Sequence, residues 1–256
     1  MANIPKKVSD RICSKLKEIQ KRAKKAVELD VSEAQTISSV VKPFLIEVLG
    51  YDEFEDLTDQ FVVRGTFCDI CIKANSKPYI MVEAKAVDVA LKEAFVKQTK
   101  DYGINSGVQW IILTNGIEWQ IYKIIFKQPV TEELILSFNI HALNAKKEED
   151  IAKIFYLCKE AIAKSEIDNL YAEKIATNKY IIGNLLFKNE SINFIRKELK
   201  KLFPEVPIAP ELIVQILKNE IIRREIQEAP EAIEAKKQIE KSEKKSARAK
   251  EKVAVK

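Results

Sequence analysis

Apolar residues recur every three to four positions between Ser9 and Leu29, where Ile12, Leu16, Ile19, Ala23 and Val27 form one stripe among lysines, and this spacing predicts an amphipathic helix. A second helix is predicted from Ser32, where Ser32 and Gln35 match a capping box; its stripe is Ile37, Val40, Val41, Phe44, Leu45 and Val48, Pro43 should kink it, and Gly50 closes it. The pattern then changes to β-prone. Residues 61–73 read as a strand bent at Gly65 and residues 78–86 as another, joined by a hairpin over 75–78. A helix over 89–105 leads to the apolar run 108–114, which reads as a buried strand. Asn115-Gly116 signals a type I′ turn into an antiparallel partner at 117–125, and residues 131–140 add a further strand. Beyond residue 146 the pattern is helical, over 148–163, 166–189, 191–203 and 210–228, with Pro204, Pro207 and Pro210 marking a break. The expected organisation is a basic amphipathic helix (1–30), an α/β layer domain (31–143), a helical region (144–228) and a basic charged tail (229–256).

Composition narrows the chemistry. A chain of 256 residues that is 46% apolar and 32% charged has the composition of a protein with a packed core, which a disordered chain or a membrane span would lack. Six glycines include no GxxxxGK[ST] loop, and the close pair Gly103 and Gly107 lacks the GxGxxG pattern, so no nucleotide cofactor is expected. With His141 as the single histidine, Ser-His-Asp triads, HExxH zinc sites and histidine-centred nucleases are excluded. Chemistry is left to carboxylates, lysines, amides and phenols. The net charge of +5 is unevenly spread: residues 1–25 carry +7, residues 229–256 carry +4, and the remainder carries −6. Basic ends suit a polyanion such as nucleic acid, and two solvated amphipathic helices would give the same pattern. No run of 18 apolar residues and no apolar leader are present, so a cytoplasmic location without membrane insertion is expected. Cys68 and Cys71 form a CxxC, but on a strand they should face opposite sides of the sheet, and no second pair or nearby histidine completes a zinc site.

The segment 78–86 is the most informative. On a strand, Ile80, Val82, Ala84 and Ala86 project to one face as a core surface, while Glu83 and Lys85 project together to the other. Glu-x-Lys recurs at 198, 234 and 243, but only the instance at 83 lies in a strand with an upstream strand acid, Asp69. If both acids face one cleft, Asp69 and Glu83 form a hard oxygen donor set for a cation such as Mg²⁺, with Lys85 beside a scissile phosphate. Two helices add polar groups in unusual places. Glu33 starts the second helix on its apolar stripe, where capping and the helix dipole offer an alternative reason for it. Gln98 and Tyr102 lie one turn apart on a face shared with Leu91 and Phe95, either as satisfied core polars or as groups that hold Lys85 or a phosphate.

Together, Asp69 in CDICI, Glu83 and Lys85 in VEAK, and Gln98 and Tyr102 in QTKDY resemble the PD-(D/E)xK nuclease superfamily, and within it the N-terminal nuclease domain of the R (HsdR) subunits of type I restriction enzymes. Glu33 in the preceding helix and the segment WIILTNGIEWQIY fit the same resemblance, which covers residues 31–125. It implies a mixed central sheet flanked by helices and Mg²⁺- or Mn²⁺-dependent DNA cleavage. It also implies a site of Glu33, Asp69, Glu83, Lys85, Gln98 and Tyr102 in which Asp69 and Glu83 are the metal ligands. R subunits continue into a helicase motor, whereas this sequence contains no P-loop. The expectation is therefore an endonuclease acting on DNA without that motor, as a homodimer or with other restriction or defence subunits. The alternative is a non-catalytic nucleic-acid-binding or partner-binding module on the same fold.

Overall fold

The computed structural model describes residues 3–254, with side chains over 3–245. Its contacts divide into two compact units between Tyr171 and Ala172. The first unit is a mixed α/β domain whose six-stranded sheet has the order β1-β2-β3-β4-β5-β6. The strands are β1 (Leu57–Val63), β2 (Thr66–Ala74), β3 (Lys77–Ala84), β4 (Trp110–Thr114), β5 (Glu118–Ile125) and β6 (Thr131–Asn139). All neighbours are antiparallel except β3 and β4, which run parallel and are joined across the sheet by a helix, as a parallel pair requires.

One face of the sheet is covered by α1 (Lys6–Glu28) and by a helix that begins as α2 (Glu33–Thr36) and continues in π-helical turns at Ile37–Val41 and Phe44–Val48. Pro43 sits between these two turns, so the expected interruption takes the form of widened turns around a residue that has no N–H to donate. The apolar side of α1 (Val8, Ile12, Leu16, Ile19, Ala23, Ala26) packs in one cluster with Ile80, Val82, Ala84, Trp110 and Ile112. The basic N-terminal helix is thus part of the core of this unit. Arg11 fixes it from outside, donating to both oxygens of Glu160 at 2.7 and 2.8 Å and to the carbonyl of Val48. The opposite face is covered by α3 (Glu93–Ser106), with Val63, Cys68, Cys71, Met81, Tyr102, Ile111 and Ile124 in a smaller cluster. After a 3₁₀ turn at Ile140–Ala142, α4 (Glu148–Phe155), α5 (Lys159–Ile162) and the start of α6 (Glu166–Ala176) complete this unit.

Three local expectations are corrected. Residues 61–73 are not one bent strand: Arg64 and Gly65 both have positive φ (48° and 86°) and form a tight turn that separates β1 from β2. Asn75 and Ser76 (51° and 62°) make the same kind of turn between β2 and β3, where a hairpin is predicted. At Asn115-Gly116 only the glycine has positive φ (81°), so the turn is not type I′. Instead Asn115 Oδ1 accepts from the N–H groups of Ile117 and Glu118. Cys68 and Cys71 do not point to opposite sides either; both lie in the smaller cluster, because the β1–β2 ribbon turns over at Asp69.

The second unit is helical: α7 (Lys179–Leu186), α8 (Asn189–Leu202), α9 (Pro210–Ile216) with a π-helical turn at Leu217–Ile221, α10 (Arg224–Glu228) and α11 (Pro230–Ala254). Ile192, Ile213, Leu217 and Ile222 form its core. The helix expected over 166–189 breaks before Asn178, whose side chain caps α7 by accepting from Tyr180 N and Ile181 N. Likewise 148–163 divides at Tyr156–Cys158 into α4 and α5. No described helix is long and apolar enough to cross a membrane.

Candidate active site

The site forms at the C-terminal end of β3, where the strands separate. β2 and β3 remain paired through Ile70 and Val82, and beyond that point the N–H of Ala84 is taken by the side chain of Asp69, Oδ2 accepting at 2.8 Å. The carboxylate of Asp69 therefore closes the gap between the two strands. Alternation along β3 sends Val82 and Ala84 into the α1 side of the sheet and Glu83, like Met81, to the α3 side. There Glu83 is 3% exposed, and its Oε1 accepts from Lys85 Nζ at 2.7 Å and from Gln98 Nε2 at 3.1 Å. The backbone N–H of Lys85 donates to Thr114 O, which ties the residue to the end of β4 and holds its ammonium over the Phe95 ring. Gln98 Nε2 also donates to Tyr102 Oη at 2.8 Å, one turn along α3. From the other side of the sheet, Glu33 Oε2 stands 3.6 Å from Lys85 Nζ.

All six residues singled out in the sequence are thus brought into one connected group. One is placed differently from expectation. Gln98 is not on the buried stripe of α3, which consists of Val96, Thr99, Tyr102 and Gly103; it sits at the solvent edge of the helix, free to reach Glu83. Glu33 is about half exposed and faces the ammonium of Lys85, a polar setting for a carboxylate at the head of an apolar stripe. Gln60 joins this group without having been singled out: it lies opposite Asp69 in the β1–β2 ribbon, and its side-chain amide acts on that carboxylate to lower its pKa. The CxxC cysteines are free thiols kept protonated by burial, Cys71 at about 11 and Cys68 higher still.

The electrostatics of the group are unbalanced. Burial, reinforced by the charges of Asp69 and Glu33 and opposed by Lys85, pushes the Glu83 carboxyl up to about 7. Asp69 is also raised, chiefly by burial and also by Glu33, against the Ala84 N–H and Lys85. For Lys85, burial disfavours the ammonium, but the hydrogen bond to Glu83 and the surrounding carboxylates outweigh it and raise its pKa. Glu83 Oε2 is the one described side-chain atom that is fully buried with no hydrogen-bond partner. An unpaired carboxylate oxygen at this depth is costly, and a hard divalent cation would satisfy it. Among the described residues no three His, Cys, Asp or Glu side chains cluster as a complete metal cage, which leaves a two-carboxylate donor set of the kind that suits Mg²⁺ with water in its remaining positions.

The sheet, its flanking helices and the acid-lysine group at the splayed strand end are consistent with a nuclease-like core. Residues 41–135 match the family model of the type I restriction enzyme R protein N terminus (HSDR_N), the family that the sequence motifs resemble. The match contains Asp69, Glu83, Lys85, Gln98 and Tyr102, and Glu33 lies before it. No curated protein and no solved structure matches the chain.

Proposed function

We propose that the first unit is a PD-(D/E)xK-type, metal-dependent endonuclease domain that hydrolyses DNA phosphodiester bonds within a type I restriction system. The observation that carries this reading is the buried, unpartnered Oε2 of Glu83 beside Asp69 and Lys85. Asp69 and Glu83 would hold Mg²⁺ or Mn²⁺, which when bound supplies Lewis-acid polarisation and a more acidic water. Lys85 acts as a cation, since its pKa is raised, and it donates to the negative charge that builds on the phosphate as water adds to phosphorus and the bond to the leaving sugar oxygen breaks. Gln98 keeps Glu83 Oε1 turned toward Lys85, which leaves Oε2 to bind the metal. Glu33 holds the ammonium from the opposite side. Partners in this reading are DNA and a second copy or other restriction or defence subunits.

The test is nicking of supercoiled plasmid in Mg²⁺ or Mn²⁺ by wild type, Asp69→Ala and Lys85→Ala. Each substitution is expected to slow cleavage by at least about 100-fold, the usual loss when a charge-stabilising group is removed from a hydrolytic site. Equal cleavage by all three proteins, or DNA binding without cleavage by any of them, overturns the proposal.

A further inference from the structure

Six described non-glycine residues have positive φ. Asp30, Arg64, Asn75, Ser76 and Ser165 lie in turns, where a left-handed backbone has an ordinary use. Gln60 (φ 47°) is the exception, because it lies inside β1. A left-handed residue of this type is uncommon anywhere, and inside a strand it persists only where surrounding structure holds it. Its effect on the ribbon is visible on both strands. Asp59 pairs with Ile70 and Phe61 with Cys68, but Gln60 and Asp69 between them are skipped by the ladder. On the near side of this gap, Leu57, Ile70 and Ile72 pack in the larger apolar cluster; on the far side, Phe61, Val63 and Cys68 pack in the smaller one. The ribbon inverts its faces at this pair, and the inversion frees Asp69 to reach the Ala84 N–H.

We propose that Gln60 is a positioning residue for Asp69: its left-handed backbone turns the side-chain amide onto the carboxylate, and with the Ala84 N–H it sets which oxygen of Asp69 faces the site. This rests on the hydrolytic reading above. Asp69 has one oxygen on the Ala84 N–H at 2.8 Å, and a second donor fixes the rotation of the carboxylate about its last bond. Gln60 itself is exposed and unburdened by packing, so the strained conformation serves no apolar contact of its own side chain.

Gln60→Gly removes the amide and accepts the left-handed backbone without cost, and Gln60→Asn keeps an amide on a residue type that tolerates this conformation. The readouts are the melting midpoint, Mn²⁺ affinity of the initially metal-free protein by calorimetry, and plasmid nicking. Gln60→Gly is expected to melt at or above the wild-type midpoint while binding Mn²⁺ and nicking about 10- to 100-fold less well, as when an outer partner of a metal ligand is lost. Gln60→Asn is expected to recover part of that loss. Wild-type Mn²⁺ affinity and rate in Gln60→Gly overturn the role of Gln60 while leaving the nuclease reading intact. A lowered midpoint in both variants alongside the loss overturns it in favour of a purely structural residue. Wild type that neither binds Mn²⁺ nor nicks removes the hydrolytic reading and this inference with it.

Discussion

β3 carries a charged cluster at each end, and the two are built to opposite specifications. Near its start, Tyr79 Oη donates to Asp168 Oδ2 at 2.7 Å, while Asp168 Oδ1 accepts from Lys123 Nζ and from Trp110 Nε1. Lys123 is itself 4.4 Å above the Trp110 ring and 4.9 Å above that of Tyr171. Burial alone would raise the Asp168 carboxyl, but these three donors outweigh it and hold the group below its ordinary range. Near the end of β3, Glu83 has two donors on one oxygen and none on the other, and its carboxyl is pushed up to about 7. A fully satisfied, half-buried network fixes structure, here the docking of α6 on the sheet. A network with one buried oxygen left unpaired keeps an ionisable group ready for a ligand.

The contrast is broken most directly by stability. Asp168→Ala leaves Lys123 with one carboxylate fewer in a largely buried setting and strands the Tyr79 and Trp110 donors. We expect a loss of about 2–4 kcal/mol by urea denaturation, below the full value for a buried pair because Asp168 is partly exposed. The loss should depend on pH. With the folded pKa of Asp168 depressed, its contribution is fully present above the unfolded carboxyl value of about 3.9 and disappears as pH falls through the lower folded value. Wild type and Asp168→Ala should thus converge in stability only in strong acid. A variant as stable as wild type at neutral pH would show that the clamp is not one.

Glu83→Gln should move stability the other way, and by less. At neutral pH in EDTA the substitution removes a charge that burial and Asp69 disfavour, while giving up the attraction to Lys85. The net expectation is a gain of about 1 kcal/mol together with loss of cleavage, the trade expected where a site holds an unfavourable group for a function. Destabilisation of the Asp168→Ala size would place Glu83 among structural ion pairs.

How far the sequence shows these two clusters follows from the range of the rules that read it. The period of a strand put Glu83 and Lys85 on one face, and the period of a helix put Gln98 and Tyr102 one turn apart; both pairs meet as those local rules require. The predicted hairpin put Asp69 on the neighbouring strand but left open whether it faces the same cleft, because strand register and ribbon twist are not local. Gln60 left no signal, since a left-handed glutamine is settled by tertiary context and not by its own preference. The same inversion made the faces of Cys68 and Cys71 unreadable from alternation alone. The Asp168 cluster was also invisible, because Asp168 stands 89 residues from Tyr79 and 45 from Lys123 with no periodicity connecting them. The break at Asn178, by contrast, was written in a residue type that caps helices, and a long apolar pattern over 166–189 masked it.

The smallest effects separate the clusters most sharply, because the same atom can be removed from each. Tyr79→Phe deletes one of three donors to a charged carboxylate and should cost about 1–2 kcal/mol. The hydroxyl lies at the far end of β3 from Glu83, so nicking should be unchanged. Tyr102→Phe deletes a hydroxyl whose partner, Gln98 Nε2, keeps its bond to Glu83, and the ring retains its packing with Cys68, Met81 and Ile111. Stability should then change by less than about 1 kcal/mol. Gln98, however, loses the contact that restrains its amide along α3, and nicking should fall by about 3- to 10-fold, an effect of positioning and not of direct charge. If Tyr79→Phe slowed cleavage as much as Tyr102→Phe, or if Tyr102→Phe were the more destabilising of the two, the division of labour along β3 would be wrong, since both outcomes require the two clusters to be energetically one.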